Sequence, residues 1–325
     1  MRRDVPGTCF SNFQKILKPF TAIFLSALFF CVLAVFAALP GTAHADIFYA
    51  SSNYSTGSAG VITASGGSFT VNKDVVSNFG VDAWGFTFRD AGGAERAMVR
   101  EYNYGPNDTI YVWNPANWKA PIVNTSSWGS NVHAVATLGQ YLYITTYESY
   151  KDGSRAQDTG EVVRIDTLNG YKPDKRYQYG AFVGDAGFES SPHGEALHVE
   201  NGKIYALFGV SYKGVNEYEP TEVVEFDPEL NRLRTVRLKD TSGNIGKNAM
   251  RMAAYGGKLY VANMGGYQGP DSWGDLWEVD IATMISRRIL DGHDIPYTVD
   301  GKSVNVGMYG IQFAPDGTAF LLAGS

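Results

Sequence analysis

The chain has 325 residues, 44% of them hydrophobic and 18% charged, and a net charge of −6. That acidic balance argues against nucleic acid or an anionic membrane as a partner, because both need basic patches. The only cysteines, Cys9 and Cys31, lie in the N-terminal segment; the remainder can hold no disulfide framework, thiolate nucleophile or cysteine-ligated metal.

Residues 1–45 have the features of an export signal. Arg2, Arg3, Lys15 and Lys18 form a basic start, residues 20–39 carry no charge, and Ala43-His-Ala45 is a small-x-small cleavage site before Asp46. Twenty apolar residues could also span a bilayer as an uncleaved anchor, but Pro40-Gly41 and the Ala-His-Ala triplet favour cleavage after Ala45. Cleavage removes four basic residues and one acidic one, leaving 23 against 32, a balance of −9. A periplasmic or secreted location is expected, with no membrane association after cleavage.

From Asp46 onward the expectation is all-β, with Gly, Tyr, Val, Thr and Ser dominant and turn signals at short, regular spacing. Short apolar segments 47–50, 60–63 and 69–71 open the domain. A pattern then recurs. A strand such as 96–99, 139–143, 202–205 or 257–263 is followed by a second that ends on Asn114, Asp166, Asp227 or Asp280. Those end positions are 52, 61 and 53 residues apart. Self-similarity near fifty residues, built only of strands, predicts propeller blades. The blades fall at 46–79, 80–128, 131–182, 193–238 and 248–290, and a sixth runs from Val304 to Ala323. The first blade is expected to lack its innermost strand, and the last its third and fourth. The expected architecture is therefore a propeller of four-stranded blades over 46–325, six or seven if complete and incomplete at the C-terminus.

Within each repeat, Gly202 and Gly257 stand where a tight hairpin needs positive φ. The terminal Asp or Asn can bond its own backbone two residues on and start the next turn. Tyr143, Tyr205, Tyr260 and Phe320 share one repeat position and are expected to pack between blades.

Leu259-Tyr-Val-Ala-Asn263, followed by the Asp275-Leu-Trp-Glu-Val-Asp280 strand, resembles the YVTN repeat of bacterial secreted β-propellers and their lactonase-like and quinoprotein-like relatives. The resemblance is best in the fifth repeat, fair in the third and fourth, and poor in the first two. It implies a blade architecture and is nearly silent about activity. No stretch matches a catalytic set of those relatives. The chain has no Gly-x-Ser-x-Gly elbow, His-Glu-x-x-His helix, P-loop or EF-hand loop.

The remaining signal lies in the loops after each second strand and between blades, which share one face around the central channel in such folds. Their unlike side chains on a repeated frame suit a specific binding surface. The candidate rim comprises Trp84, Arg100, Tyr102, His133, Tyr147, His193, Arg251, Asn263, Tyr267, Trp273 and Tyr309. His133 and His193 come from successive blades, but no third donor is indicated, so neither a metal nor a cofactor is assigned. Two functions remain open. One is an exported binding propeller for an extracytoplasmic ligand, polymer or protein. The other is an enzyme of lactonase, lyase or quinoprotein type at the channel mouth.

Overall fold

The computed structural model describes residues 45–52, 57–65, 67–79, 83–101, 108–151, 154–156, 160–179, 192–210, 219–266, 273–299 and 302–324. The signal segment up to residue 44 and the candidate rim residues Tyr102 and Tyr267 lie outside the described residues. Two compact units are present. Of the described residues, Ala45 and those within Thr63–Thr70 belong to one, and the remainder to the other. The described part of the small unit is mainly a hairpin tip turning at Gly67, φ 79°.

The chain is all-β. Strands β1 (Ala45–Ser52), β2 (Gly57–Ser65) and β3 (Ser68–Phe79) form a three-stranded sheet. Next come β4 (Trp84–Arg89), β5 (Glu95–Glu101), β6 (Thr109–Trp113) and β7 (Val123–Thr125), paired in sequence order. The third sheet has β8 (Ser130–Leu138), β9 (Tyr141–Lys151), β11 (Glu161–Asp166) and β12 (Lys172–Gln178), with the short β10 (Ser154–Ala156) paired to the end of β9. The fourth contains β13 (Pro192–Glu200), β14 (Lys203–Val210), β15 (Glu222–Phe226) and β16 (Arg232–Arg237). The fifth contains β17 (Ala249–Tyr255), β18 (Lys258–Asn263), β19 (Asp275–Asp280) and β20 (Ile285–Asp291). A two-residue ribbon, β21 (Thr298–Val299) with β22 (Lys302–Ser303), precedes the pair β23 (Gly307–Phe313) and β24 (Ala319–Gly324).

Burial follows from how the sheets stack. Five apolar clusters each lie between two successive sheets of the large unit. Because side chains alternate across a strand, one strand serves two clusters. Leu142 and Ile144 of β9 face the second sheet, while Tyr143 between them faces the fourth. Likewise Ile204, Ala206 and Phe208 of β14 pack toward the third sheet, and Tyr205 and Leu207 toward the fifth. Third strands, packed on both faces, are buried almost throughout, as in β15 and β19. Outer strands β12 and β20 alternate exposed and half-buried positions, having one solvated face. The first strands neighbour one another in succession, from β4 to β8, β13, β17 and β23. This is a β-propeller-like arrangement.

Local chemistry sets the turns. Asn201 (φ 52°) with Gly202 (φ 72°), and Gly256 (φ 60°) with Gly257 (φ 76°), take the doubly left-handed path of a two-residue hairpin. The Asn114, Asp166 and Asp227 side chains accept from the backbone N–H two residues on, at 2.9–3.0 Å. Asp280 does the same one residue later, to Thr283. Tyr143, fully buried, donates across the sheet boundary to the Pro228 carbonyl at 2.8 Å. Beside it Arg164 binds Asp174, Glu229 and the same carbonyl, which ties the third sheet to the fourth.

Candidate functional site

Four of the first strands carry one extra residue at the same place. Pairing slips between Val132 and Ala134 in β8, between Gly194 and Ala196 in β13, between Ala249 and Arg251 in β17, and between Met308 and Gly310 in β23. The residues left out of the ladder are His133, Glu195, Met250 and Tyr309. A bulge turns its side chain away from the regular alternation, and such features recur next to functional sites. Two of these strands approach the bulge through a left-handed asparagine, Asn131 and Asn248, each at φ 57°. His193 holds the same position in β13. The Asn131 backbone N–H donates to the buried Asp108 carboxylate, which fixes the entry to β8. In β4 there is no slip, and Trp84 pairs with Arg100 at the register position that Arg251 takes in β17.

The bulges bring residues of four sheets together. His133 Nδ1 and Glu195 Oε2 are 2.8 Å apart, with side chains only 11% and 8% exposed. The His133 ring stacks on Trp84 at 4.7 Å and tilts toward Tyr147 at 5.2 Å. Tyr147 in turn stacks on His193. The guanidinium carbons of Arg100 and Arg251 lie 5.1 and 5.0 Å from the centre of the Trp84 ring, close enough for cation–π attraction of about 0.5–2 kcal/mol each. Arg251 spends one N–H on the carbonyl of its neighbour Met250 at 2.7 Å.

Burial governs the charges here. It pushes the His193 imidazole down to about 3, and the adjacent His133 pushes the same way, so His193 is neutral at physiological pH. It also lowers the Arg251 guanidinium, against an opposing pull from Glu195. Chemically, the cluster offers a carboxylate-oriented imidazole, two guanidiniums concentrated at one indole, and a stacked aromatic wall. Among the described residues no three His, Cys, Asp or Glu side chains come together as a metal-holding group.

Of the candidate rim residues, the structure thus gathers Trp84, Arg100, His133, Tyr147, His193 and Arg251. Tyr309, the extra residue of β23, lies with its ring against Gly307 and Gly324. Asn263 is fully enclosed at the end of β18, where its side-chain oxygen accepts from the Thr221 hydroxyl at 3.2 Å. Trp273 stands apart from the cluster, stacked on His293 at 4.3 Å. Glu195 escaped the sequence reading because an alternating strand gives no warning that one residue is extra. The available signal was Gly194, since glycine inside a strand marks bulges and close approaches. A Cβ on Gly194 would come within 2.8 Å of Thr145 Cβ and 2.9 Å of the Thr146 carbonyl.

No protein-family model matches the chain, and no curated protein matches it. Similar solved structures include propeller-type folds. A hypothetical selenium-binding protein from Sulfolobus tokodaii superposes with a TM-score of 0.50 at 10% identity, over 78% of this chain and 61% of that one. The extracellular domains of Drosophila semaphorin 1b give 0.46 at 11% identity, over 75% of this chain and 54% of theirs. An α-L-arabinofuranosidase from Fusarium graminearum gives 0.46 at 12% identity, over 87% and 97%. The chain spans less than two thirds of the length of the first two. At these identities the likeness concerns the fold alone, and it rests on the first of the three.

Proposed function

We propose that this is an exported binding propeller of the YVTN, lactonase-like and quinoprotein-like type, six- or seven-bladed. Its residues 46–325 take a small anionic ligand in the cluster around Trp84. The observation that carries this reading is Arg251. Its half-buried guanidinium makes one hydrogen bond among the described residues, to its own neighbour's carbonyl, and a carboxylate or phosphate group would satisfy the remaining donors. Arg100 at the same indole adds to the positive potential, and Trp84 and Tyr147 supply flat surfaces for the rest of the ligand. Residues 1–45 would direct the chain to the periplasm or medium and be removed after Ala45. Nucleic acid is not an expected partner, given the acidic balance.

Calorimetric titration with acetate, succinate, benzoate and inorganic phosphate tests the reading. At least one should bind wild type, and Arg251→Met should weaken that binding about tenfold to a hundredfold, the worth of a charge-assisted hydrogen bond. Silence from all four, or unchanged affinity in Arg251→Met, would refute it. The His133–Glu195 hydrogen bond favours a second reading, an enzyme of lactonase or lyase type in which His133 is the general base and Glu195 orients it. Turnover of a lactone by wild type and its loss in His133→Gln would favour that reading instead.

A further inference from the structure

A cavity outside the Trp84 cluster has the build of a ligand site. Its volume is about 380 Å³, within the roughly 300–1,000 Å³ of small-molecule sites. It lies where β19 begins, β20 ends and the connection into β17 passes. Trp273 stacked on His293 forms a wall, and Asn244 and Lys247 line the opposite connection. Asp275, the first residue of β19, also lines it.

Asp275 is the informative group. It is only 8% exposed, and its Oδ1 makes no hydrogen bond of normal geometry among the described residues, although the Trp277 and Asn263 side chains act on the carboxyl as donors. A buried carboxylate oxygen left unpaired costs on the order of 1–3 kcal/mol; with only imperfect protein donors beside it, such an atom in a cavity wall can accept a further donor from whatever fills the cavity. The neighbouring charges are already matched. Arg288 donates to Asp291 at 2.6 Å, and the His293 ring meets the other oxygen of Asp291 at 2.6 Å. The lining then holds two carboxylates, Asp275 and Asp291, against two cations, Lys247 and Arg288. A net charge on the ligand would have no partner to favour it. A hydroxyl satisfies an orphaned oxygen without bringing a charge, and the C–H face of a ring can lie on an aromatic wall. Burial holds the Asp275 carboxyl up at about 7.

We infer that this cavity binds a neutral polyhydroxylated ring, a monosaccharide or the end unit of a glycan, with a hydroxyl donated to Asp275 Oδ1 and the ring packed against Trp273. The inference is independent of the anion site around Trp84.

Saturation-transfer NMR and calorimetry on the full chain would use D-glucose, D-galactose, D-mannose, L-arabinose and D-xylose, with acetate and benzylamine as charged controls. At least one sugar is expected to bind, with neither control competing. Asp275→Asn, which replaces the acceptor oxygen by an amide, and Trp273→Ala should each weaken it about tenfold or more. His293→Ala, at an exposed ring, gives a second reading of the wall should Trp273→Ala fail to fold. Arg251→Met should leave sugar binding unchanged, so failure here and failure of the anion site are separable. The inference is overturned if none of the five sugars binds, if a charged control competes, or if the affinity survives both Asp275→Asn and loss of the aromatic wall.

Discussion

Acid should loosen the Trp84 cluster through a single residue, His193. Its imidazole falls from 6.5 to about 3 because burial, and then His133, penalise the protonated form. In the unfolded chain the same group titrates near its ordinary value. Between those two values the unfolded state binds a proton that the folded state refuses, so stability is complete above about pH 6.5 and drains away as pH falls through the window. At pH 5 the loss is about 2 kcal/mol, taking about 1.4 kcal/mol per unit below the ordinary value. Asp275 works the other way. Its carboxyl rises from 3.8 to about 7, so its cost to stability is full above neutrality and disappears as the pH drops toward 4. The two partly cancel in wild type, so the useful quantity is a difference between proteins. His193→Asn is the natural perturbation, because Asn131 and Asn248 fill the same repeat position. Urea unfolding of both proteins at pH 7.5, 6 and 5 would give it. The stability of His193→Asn relative to wild type should rise by about 2 kcal/mol from pH 7.5 to 5. A difference that stays flat across that range would refute the assignment of a neutral, desolvated imidazole.

Asp275→Asn should raise the melting temperature at pH 8, with the gain gone by pH 4; a gain of equal size at both pH values in a thermal scan would contradict the raised carboxyl. Arg164→Met removes the group joining Asp174, Glu229 and the Pro228 carbonyl. It should cost about 1–3 kcal/mol in urea unfolding, the lower end applying because both carboxylates are partly exposed. Gly194→Val would push a side chain into Thr145 and the Thr146 carbonyl and should cost about 1–3 kcal/mol; an unchanged midpoint would mean the third and fourth sheets are not pressed together there.

The fold was legible where local rules decide it. Asn114, Asp166, Asp227 and Asp280 end third strands because an Asx side chain can start the turn itself, and all four do so. Gly202 and Gly257 mark hairpins because few other residues accept a positive φ. Tyr143 was recognisable as packing between sheets because it shares one repeat position with Tyr205, Tyr260 and Phe320. The site was legible only in part. Trp84, His133, His193 and Arg251 could be named from where they fall in the repeat, because that end of a first strand meets the same end of its neighbours. Glu195 could not, because its direction depends on an inserted residue that leaves apolar alternation almost undisturbed. Asn263 shows the reverse. Its repeat position points to the rim, but it pairs with Ala249 just before the bulge at Met250 and is closed over. The cavity at Asp275 joins the starts and ends of three separate segments, a juxtaposition that no single stretch of sequence displays.

Calorimetric titration of the four anions into wild type and Arg251→Met, side by side at pH 7.5, bears most directly on the central claim that the bulged first strands assemble an anion site. Binding to wild type that falls at least tenfold in Arg251→Met, with the unfolding midpoint unchanged or higher, is the expected result. Equal affinity in the two proteins, or no binding to either, would contradict it.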